Sequence, residues 1–235
     1  MYKKGDFHIH STYSDGNCTP TQIIDIAKRR DVDIISITDH NCTNGINESI
    51  KHGKEIGITV IPGVEISSRY NRTRVHILGY FKGEIFNDKI LIKCLKCIKN
   101  HNISEFNKIL RRELSITYRS ENICVEKGIE LLRAFGATVI LAHPVLLPQN
   151  QFKEIIKLGF DGLEAKYFSN TKKDTEFFIN YANENNMIYT AGSDFHRNNE
   201  LYRAHGLIGD VFLDENEIKI FLNHLEKSTS NFFKQ

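Results

Sequence analysis

The chain has 235 residues, with 31 Lys and Arg against 29 Asp and Glu, a formal net charge of +2, 40% hydrophobic and 26% charged residues. This is ordinary globular composition, long enough for one domain with a substantial core. Its dispersed charge excludes a protein that coats nucleic acid or a membrane surface.

Phe7 to His10 reads as a first strand. Thr19 then caps a helix, with Pro20 at the first position and Gln22 placed to complete a capping box. Ile23, Ile26 and Ala27 form that helix's apolar face. Asp33 to Thr38, with Ile34, Ile35 and Ile37, is a buried strand. A helix from about Asn44 to Ile56 stops at Gly57. Ile58 to Ile61, Val64 to Ile66 and Val75 to Phe81 follow as strands. Residues from about Asn87 to Phe135 are strand-poor, with Ile90, Leu91, Cys94 and Ile98 on one helical face; they read as a helical excursion ending in a helix over 123–135. Alternation then resumes with a strand at Thr138–Ala142, a helix at Gln149–Leu158 and a strand at Asp161–Ala165. A helix at Thr171–Asn185 and a strand at Met187–Ala191 come next. Gly206 to Phe212 and a helix from Glu215 to Leu225 finish the domain, and Ser228 to Gln235 is a frayed tail. Such alternation implies an α/β fold with a largely parallel sheet, open or closed.

Five cysteines (Cys18, Cys42, Cys94, Cys97, Cys124) form an odd set that favours reduced thiols. Cys94 and Cys97 have redox-motif spacing but sit inside an amphipathic helix, where free Cys behaves as a small hydrophobe. No apolar run is long enough to span a bilayer and no apolar segment precedes Phe7, so a soluble cytoplasmic protein without membrane contact is expected.

The chemistry lies in where histidines and acids fall. His8 and His10 are two apart on a strand and share a face. Asp15 follows in a Ser14-Asp15-Gly16 turn. Asp39 and His40 end the second strand, Glu65 stands at a strand start and His76 on the next strand. His143 and Asp194 with His196 terminate two later strands. Nearly all lie at or near C-terminal strand ends, which share one face in parallel α/β folds. Imidazole and carboxylate suit Zn, Mn and Fe. Nine candidates (His8, His10, Asp15, His40, Glu65, His76, His143, Asp194, His196) exceed the needs of one ion and suit two or three. Such ions bind phosphate oxygens and acidify a bound water. A single strand-end histidine is more often a hydrogen-bonded core residue than a ligand; nine candidates on one face, left without metal, would be costly to bury. His52, His101, His205 and His224 lack strand-end context, although His205 precedes Gly206 near the last strands.

Six segments together resemble the polymerase and histidinol phosphatase (PHP) domain family. They are Phe7-His8-Ile9-His10-Ser11-Thr12-Tyr13-Ser14-Asp15-Gly16, Ile37-Thr38-Asp39-His40, Gly63-Val64-Glu65, His76-Ile77-Leu78-Gly79-Tyr80, Ala142-His143-Pro144 and Gly192-Ser193-Asp194-Phe195-His196. The resemblance implies a distorted (β/α)7 barrel over residues 1–235, with the short excursion at about 87–135. It implies a trinuclear metal site with His8, His10, Glu65 and Asp194 on a first ion. Glu65 would bridge to a second ion, also held by His76 and His143, and Asp15, His40 and His196 would hold a third. Asp39 is expected to orient a histidine. The implied activity is hydrolysis of phosphate monoesters or terminal phosphodiesters by a metal-bridging hydroxide, with His8, His10, Glu65, His143, Asp194 and His196 as the catalytic set. The Gly-Ser-Asp-Phe-His ending and the excursion resemble small bacterial enzymes acting on nucleotides and short oligonucleotides. Their usual basic residue after Ala-His-Pro is replaced by Val145-Leu146-Leu147. Arg69, Arg72, Arg74, Arg119 and Arg197 are candidate substitutes, of which Arg197, beside His196, is preferred for substrate binding. The rival readings are a histidinol-phosphate phosphatase, with Glu164 as the acid for the substrate amine, an exonuclease, which would want a basic track, and a non-catalytic metal-binding regulatory domain. No stable nucleic-acid complex is expected.

Overall fold

The computed structural model describes residues 2–117, 123–199, 201 and 204–228. Three strands, β1 (Gly5–Ile9), β2 (Ile34–Ile37) and β3 (Thr59–Val60), pair in parallel. Helices α1 (Pro20–Arg29) and α2 (Ile46–Ile56) make the crossovers. The start of α1 is fixed locally: the Thr19 hydroxyl accepts from the Gln22 N–H, the Gln22 side chain accepts from the Thr19 N–H, and Pro20 occupies the first turn. Such a cap stabilises by about 1 kcal/mol. Gly57, at φ 78°, ends α2 in the left-handed region that favours glycine.

Five strands form the second sheet in chain order: β4 (Gly63–Tyr70), β5 (Thr73–Tyr80), β6 (Thr138–Leu141), β7 (Gly162–Tyr167) and β8 (Ile188–Gly192). β6, β7 and β8 run parallel, but β5 is antiparallel to both β4 and β6. The expected largely parallel order breaks here because the chain reverses through Asn71 and Arg72, and Asn71 takes φ 54°. Asn tolerates that conformation better than most side chains. The reversal has a functional consequence: the N-terminal half of β5, with His76, lies level with the C-terminal end of β6, and the Ala142 N–H donates to the His76 carbonyl.

The sheets meet at two seams. Ile9 bridges to Phe195 just beyond β8, and His40 just beyond β2 bridges to Glu65 on β4. The described residues thus form eight strands, three in one ladder and five in the other, joined by these two bridges. β3 is only two residues long and is followed by Pro62, which has no N–H to extend the pairing toward β4.

The excursion comprises α3 (Lys89–Lys99), α4 (Ile103–Leu114) and α5 (Val125–Ala134). Leu91, Cys94 and Ile98 are buried as the pattern predicts, joined by Leu95 and Cys97. They share a core with Val64, Ile66, Val75 and Ile77, the outward face of the β4–β5 hairpin. Helices α6 (Gln149–Ile155), α7 (Lys172–Glu184) and α8 (Glu215–Lys227) complete the layer. Gly206 to Phe212 is a run of turns: Gly209 takes φ 77° and donates its N–H to the buried Asp6 carboxylate at 2.8 Å, so the chain bends over β1. Among the described residues no helix is long and apolar enough to cross a membrane. The tail after residue 228, like Arg119, lies outside the described residues.

Candidate metal centre

His8 and His10, at the end of β1, are fully buried and aim their Nε2 atoms at one point, 3.1 Å apart. Opposite them stands Glu65, third residue of β4. Its carboxylate oxygens lie within 3.4 Å of nitrogens of five histidines: His8 (3.4 Å), His10 (3.3 Å), His40 (3.0 Å), His76 (3.1 Å) and His143 (3.2 Å). Asp194 Oδ1 is 3.3 Å from His8 and 3.2 Å from His10. Asp15 closes the outer side, 3.5 Å from His10, 3.6 Å from His40 and 3.4 Å from His196. All nine residues singled out in the sequence converge on one cluster, with His8 and His10 buried at its base.

Their backbones are held in unusual conformations. His143 takes φ 29° and Asp194 φ 52°, which cost side chains strain. Hydrogen bonds offset it. The His143 N–H donates to Glu164 Oε2 at 2.8 Å, while Glu164 Oε1 sits 3.0 Å from His8 Nδ1. Glu164 thus orients two candidate ligands on different strands. It is fully buried with both oxygens engaged, so it cannot receive a substrate amine as the histidinol-phosphate reading requires. Gly192 makes room for it, since a Cβ there would overlap Glu164 Oε1 and His8 Cβ. Asp39 acts at one remove. It accepts from the Ser11 N–H (2.8 Å), the Ser11 hydroxyl (2.6 Å) and the Ser14 hydroxyl, so it shapes the loop carrying Asp15 and reaches a histidine only through Ser14, whose hydroxyl is 3.4 Å from His10 Nδ1.

Two residues join that the sequence reading had set aside or passed over. His205 Nδ1 is 3.1 Å from Asp194 Oδ2, with its ring 4.0 Å from that of His196. The Tyr167 hydroxyl donates to the same Oδ2 at 2.9 Å. Strict alternation would set Tyr167 and Glu164 on opposite faces of β7. A bulge between Glu164 and Lys166 turns Tyr167 back to the site, and nothing in the sequence marks it. His205 is carried in by the Gly206 N–H donating to the Ser193 carbonyl.

Burial alone would raise Glu65, but His76, His8 and His40 hold its carboxyl well below the usual range. Asp194 is likewise lowered against its burial by His8, His10 and His205. Burial lowers His10, yet bonds to Asp194 and Glu65 carry it up to about 10. His76 is lowered by burial. Burial and the carboxylates of Asp194 and Glu164 push the Tyr167 phenol far up, so it remains a donor.

These residues fit divalent cations. His40 Nδ1 is buried without a hydrogen-bond partner, although 3.0 Å from Glu65, as for two donors facing a common ion. Donor atoms of His10, Asp15, His40 and His196 all lie within 4.8 Å of one another. So do those of His8, His10 and Asp194, those of His40, Glu65 and His76, and those of Asp194, His196 and His205. The donors are nitrogen and carboxylate oxygen, which suit Zn, Mn and Fe.

Among the described residues, cavities open on the centre from two sides. One, of about 650 Å³, is lined by Leu146, Leu147, Tyr167, Arg197 and His205 besides the candidate ligands. The other, of about 560 Å³, is lined by Arg69, Arg74 and Lys99 among others. Arg72 is exposed on the hairpin turn and lines neither.

A 5′-3′ exoribonuclease of Haemophilus influenzae is 26% identical, over 83% of this chain and 91% of its own length. A 3′,5′-nucleoside bisphosphate phosphatase of Chromobacterium violaceum is 43% identical over 74 residues, 32% of this chain and 26% of that protein. A solved structure from Bifidobacterium adolescentis, described as a candidate metal-dependent phosphoesterase, superposes with TM-score 0.73 at 19% identity, covering 93% of this chain and 95% of its own. The PHP domain profile matches residues 6–225, a span holding every candidate ligand named above. This chain belongs to the PHP domain family, as a metal-dependent hydrolase of phosphoric esters.

Proposed function

We propose that the protein hydrolyses terminal phosphate esters of nucleotides or short oligonucleotides, using two or three divalent ions. The carrying observation is the placement of five histidines around Glu65 at the mouth of an open cavity. In this reading His8, His10, Glu65 and Asp194 hold one ion, Glu65 with His76 and His143 a second, and Asp15, His40 and His196 a third. The seam bridges at Ile9 and His40 support treating the two sheets as one distorted barrel around these ions. Bound ions supply an acidified water and positive charge for the phosphoryl oxygens. The chain's own part is orientation. Glu164 fixes His8 and His143, Tyr167 and His205 fix Asp194, and Arg197 on the cavity wall offers a planar donor fork to the phosphate.

The nucleotide class is supported by the two relatives, one named for RNA and one for a nucleoside bisphosphate. Stepwise 5′-to-3′ trimming of short RNA is a second reading, favoured by the near full-length match to the exoribonuclease. The test is phosphate or nucleotide release by Mn²⁺-loaded protein from a nucleoside 3′,5′-bisphosphate, a short RNA, histidinol phosphate and an aryl phosphate, each with a chelator control. Chelator-sensitive release from the first two supports the proposal. Preference for histidinol phosphate sinks the nucleotide class. Inactivity on all four by metal-loaded protein sinks the esterase reading for these substrates.

A further inference from the structure

Arg69 and Arg74 face each other directly in the β4–β5 ladder. Like charges so placed repel. Arg69 donates to the Arg72 carbonyl at 3.3 Å, and among the described residues neither guanidinium forms an ion pair with a carboxylate. Alternate residues of a strand share a face, so Arg69 lies on the face of Glu65 and Ser67, and Arg74 on that of His76. The arginine pair is therefore two ladder positions outward from the Ser67–His76 pair, about 7 Å along the strands.

These arginines line the cavity of about 560 Å³, with Ser67 and Lys99 beside them and Ile98 and Ile103 as an apolar wall. That cavity is continuous with the metal-facing one through Asp15, His40, Arg74 and His76, which line both. Lys99 anchors its position: Nζ donates to the Tyr13 carbonyl at 2.9 Å, tying the end of α3 to the loop that carries Asp15. Asp15 brings a carboxylate to the boundary, but its oxygens face the histidines.

We propose that this cavity seats a second phosphate of the substrate, one nucleoside unit away from the ester presented to the metal centre. This rests on the phosphoesterase reading above and narrows it to nucleotides phosphorylated on both sides of the sugar and to the ends of short oligonucleotides. An anion between the two guanidiniums removes their repulsion and uses the bidentate geometry that arginine offers phosphate. The isoleucine wall accommodates the sugar or base between the phosphates. The strand spacing sets the reach, so an ester with a single phosphate leaves the arginine pair unused. Recognition comes from the hairpin and α3, on the opposite side of the cleft from Val145-Leu146-Leu147.

The test compares kcat/KM for adenosine 3′,5′-bisphosphate with that for an aryl phosphate. It uses full-length, Mn²⁺-loaded wild type, the double variant Arg69→Gln/Arg74→Gln, and Arg72→Gln on the same turn but outside the cavity. The ratio of the two kcat/KM values is expected to fall about tenfold or more in the double variant, mainly through KM for the bisphosphate, and to hold in Arg72→Gln. The thermal midpoint of the double variant is expected not to fall, since two opposed charges are removed. An active wild type whose ratio is the same in the double variant overturns the inference and leaves the esterase reading standing. So does a double variant that loses kcat equally on both substrates. A metal-loaded wild type that hydrolyses neither substrate defeats the esterase reading itself, and this inference with it.

Discussion

His8 and His10 have no exposed side-chain surface, while Asp15 is 52% exposed and His40 24% exposed. The inner candidate ligands are also backed by further side chains: Glu164 behind His8 and His143, Tyr167 and His205 behind Asp194. The outer group of Asp15, His40 and His196 has its longest contact at 3.6 Å and lies beside the solvent cavities. The same two donor chemistries are thus built once as a rigid, desolvated cluster and once as an open rim. Rigidity behind a ligand raises metal affinity and slows exchange; exposure does the reverse.

Replacing an inner ligand should do most harm. Asp194→Ala is expected to reduce phosphate release to the level of chelator-treated wild type and to lower the bound-metal count by elemental analysis; activity retained with full metal would break the inner-outer distinction. Glu164→Gln keeps the shape but weakens the carboxylate that holds His8 and His143, and should cost about 10- to 100-fold in activity or metal affinity. Asp15→Asn on the rim should be milder, with activity recovering as Mn²⁺ is raised in the assay. A loss that excess metal does not restore would place Asp15 with the inner group.

Acidity sharpens the comparison further. Burial lowers His10, but Asp194 and Glu65 raise it to about 10, so in metal-free protein it carries a proton throughout neutral pH. That protonated form stabilises the metal-free fold fully below the unfolded pKa, about 6.5, and the contribution fades as pH rises through 10. Metal binding must expel the proton. The rise in thermal midpoint on adding Mn²⁺ should therefore be larger at pH 8 than at pH 6, and an equal rise at both would contradict the protonated inner site. The smallest effect belongs to Cys94. Its thiol is pushed up to about 12 by burial in α3, and it should resist alkylation in the native protein at pH 8, as judged by mass spectrometry.

Much of the site was legible because metal ligation demands few residue types, and these stand out at strand ends. The Thr19 box, the Gly57 stop and the buried face of α3 were legible for the same local reasons. What escaped depends on long-range pairing. The β4–β5 reversal is made at Asn71 and Arg72, which no Gly or Pro marks, and the bend over β1 is set by the Asp6–Gly209 bond. Tyr167 needed a bulge to face inward, and His205 needed the Gly206–Ser193 contact. Asp39 sits next to His40 in sequence, but the histidine it reaches is His10, through the Ser14 hydroxyl, a route set by the fold of the Ser11–Ser14 loop.

Gly192 carries no side chain, and that gap decides how faults spread through the centre. Through it Glu164 on β7 passes β8 to reach His8 on β1, while its other oxygen grips His143 after β6. Damage at either end is then shared: a side chain at position 192, or a displaced His143, disturbs His8 as well, although the two histidines lie on strands that do not pair. Injuries at these three positions should combine as one failure and not as a sum, so the inner centre has no redundancy: it stands or fails as a unit.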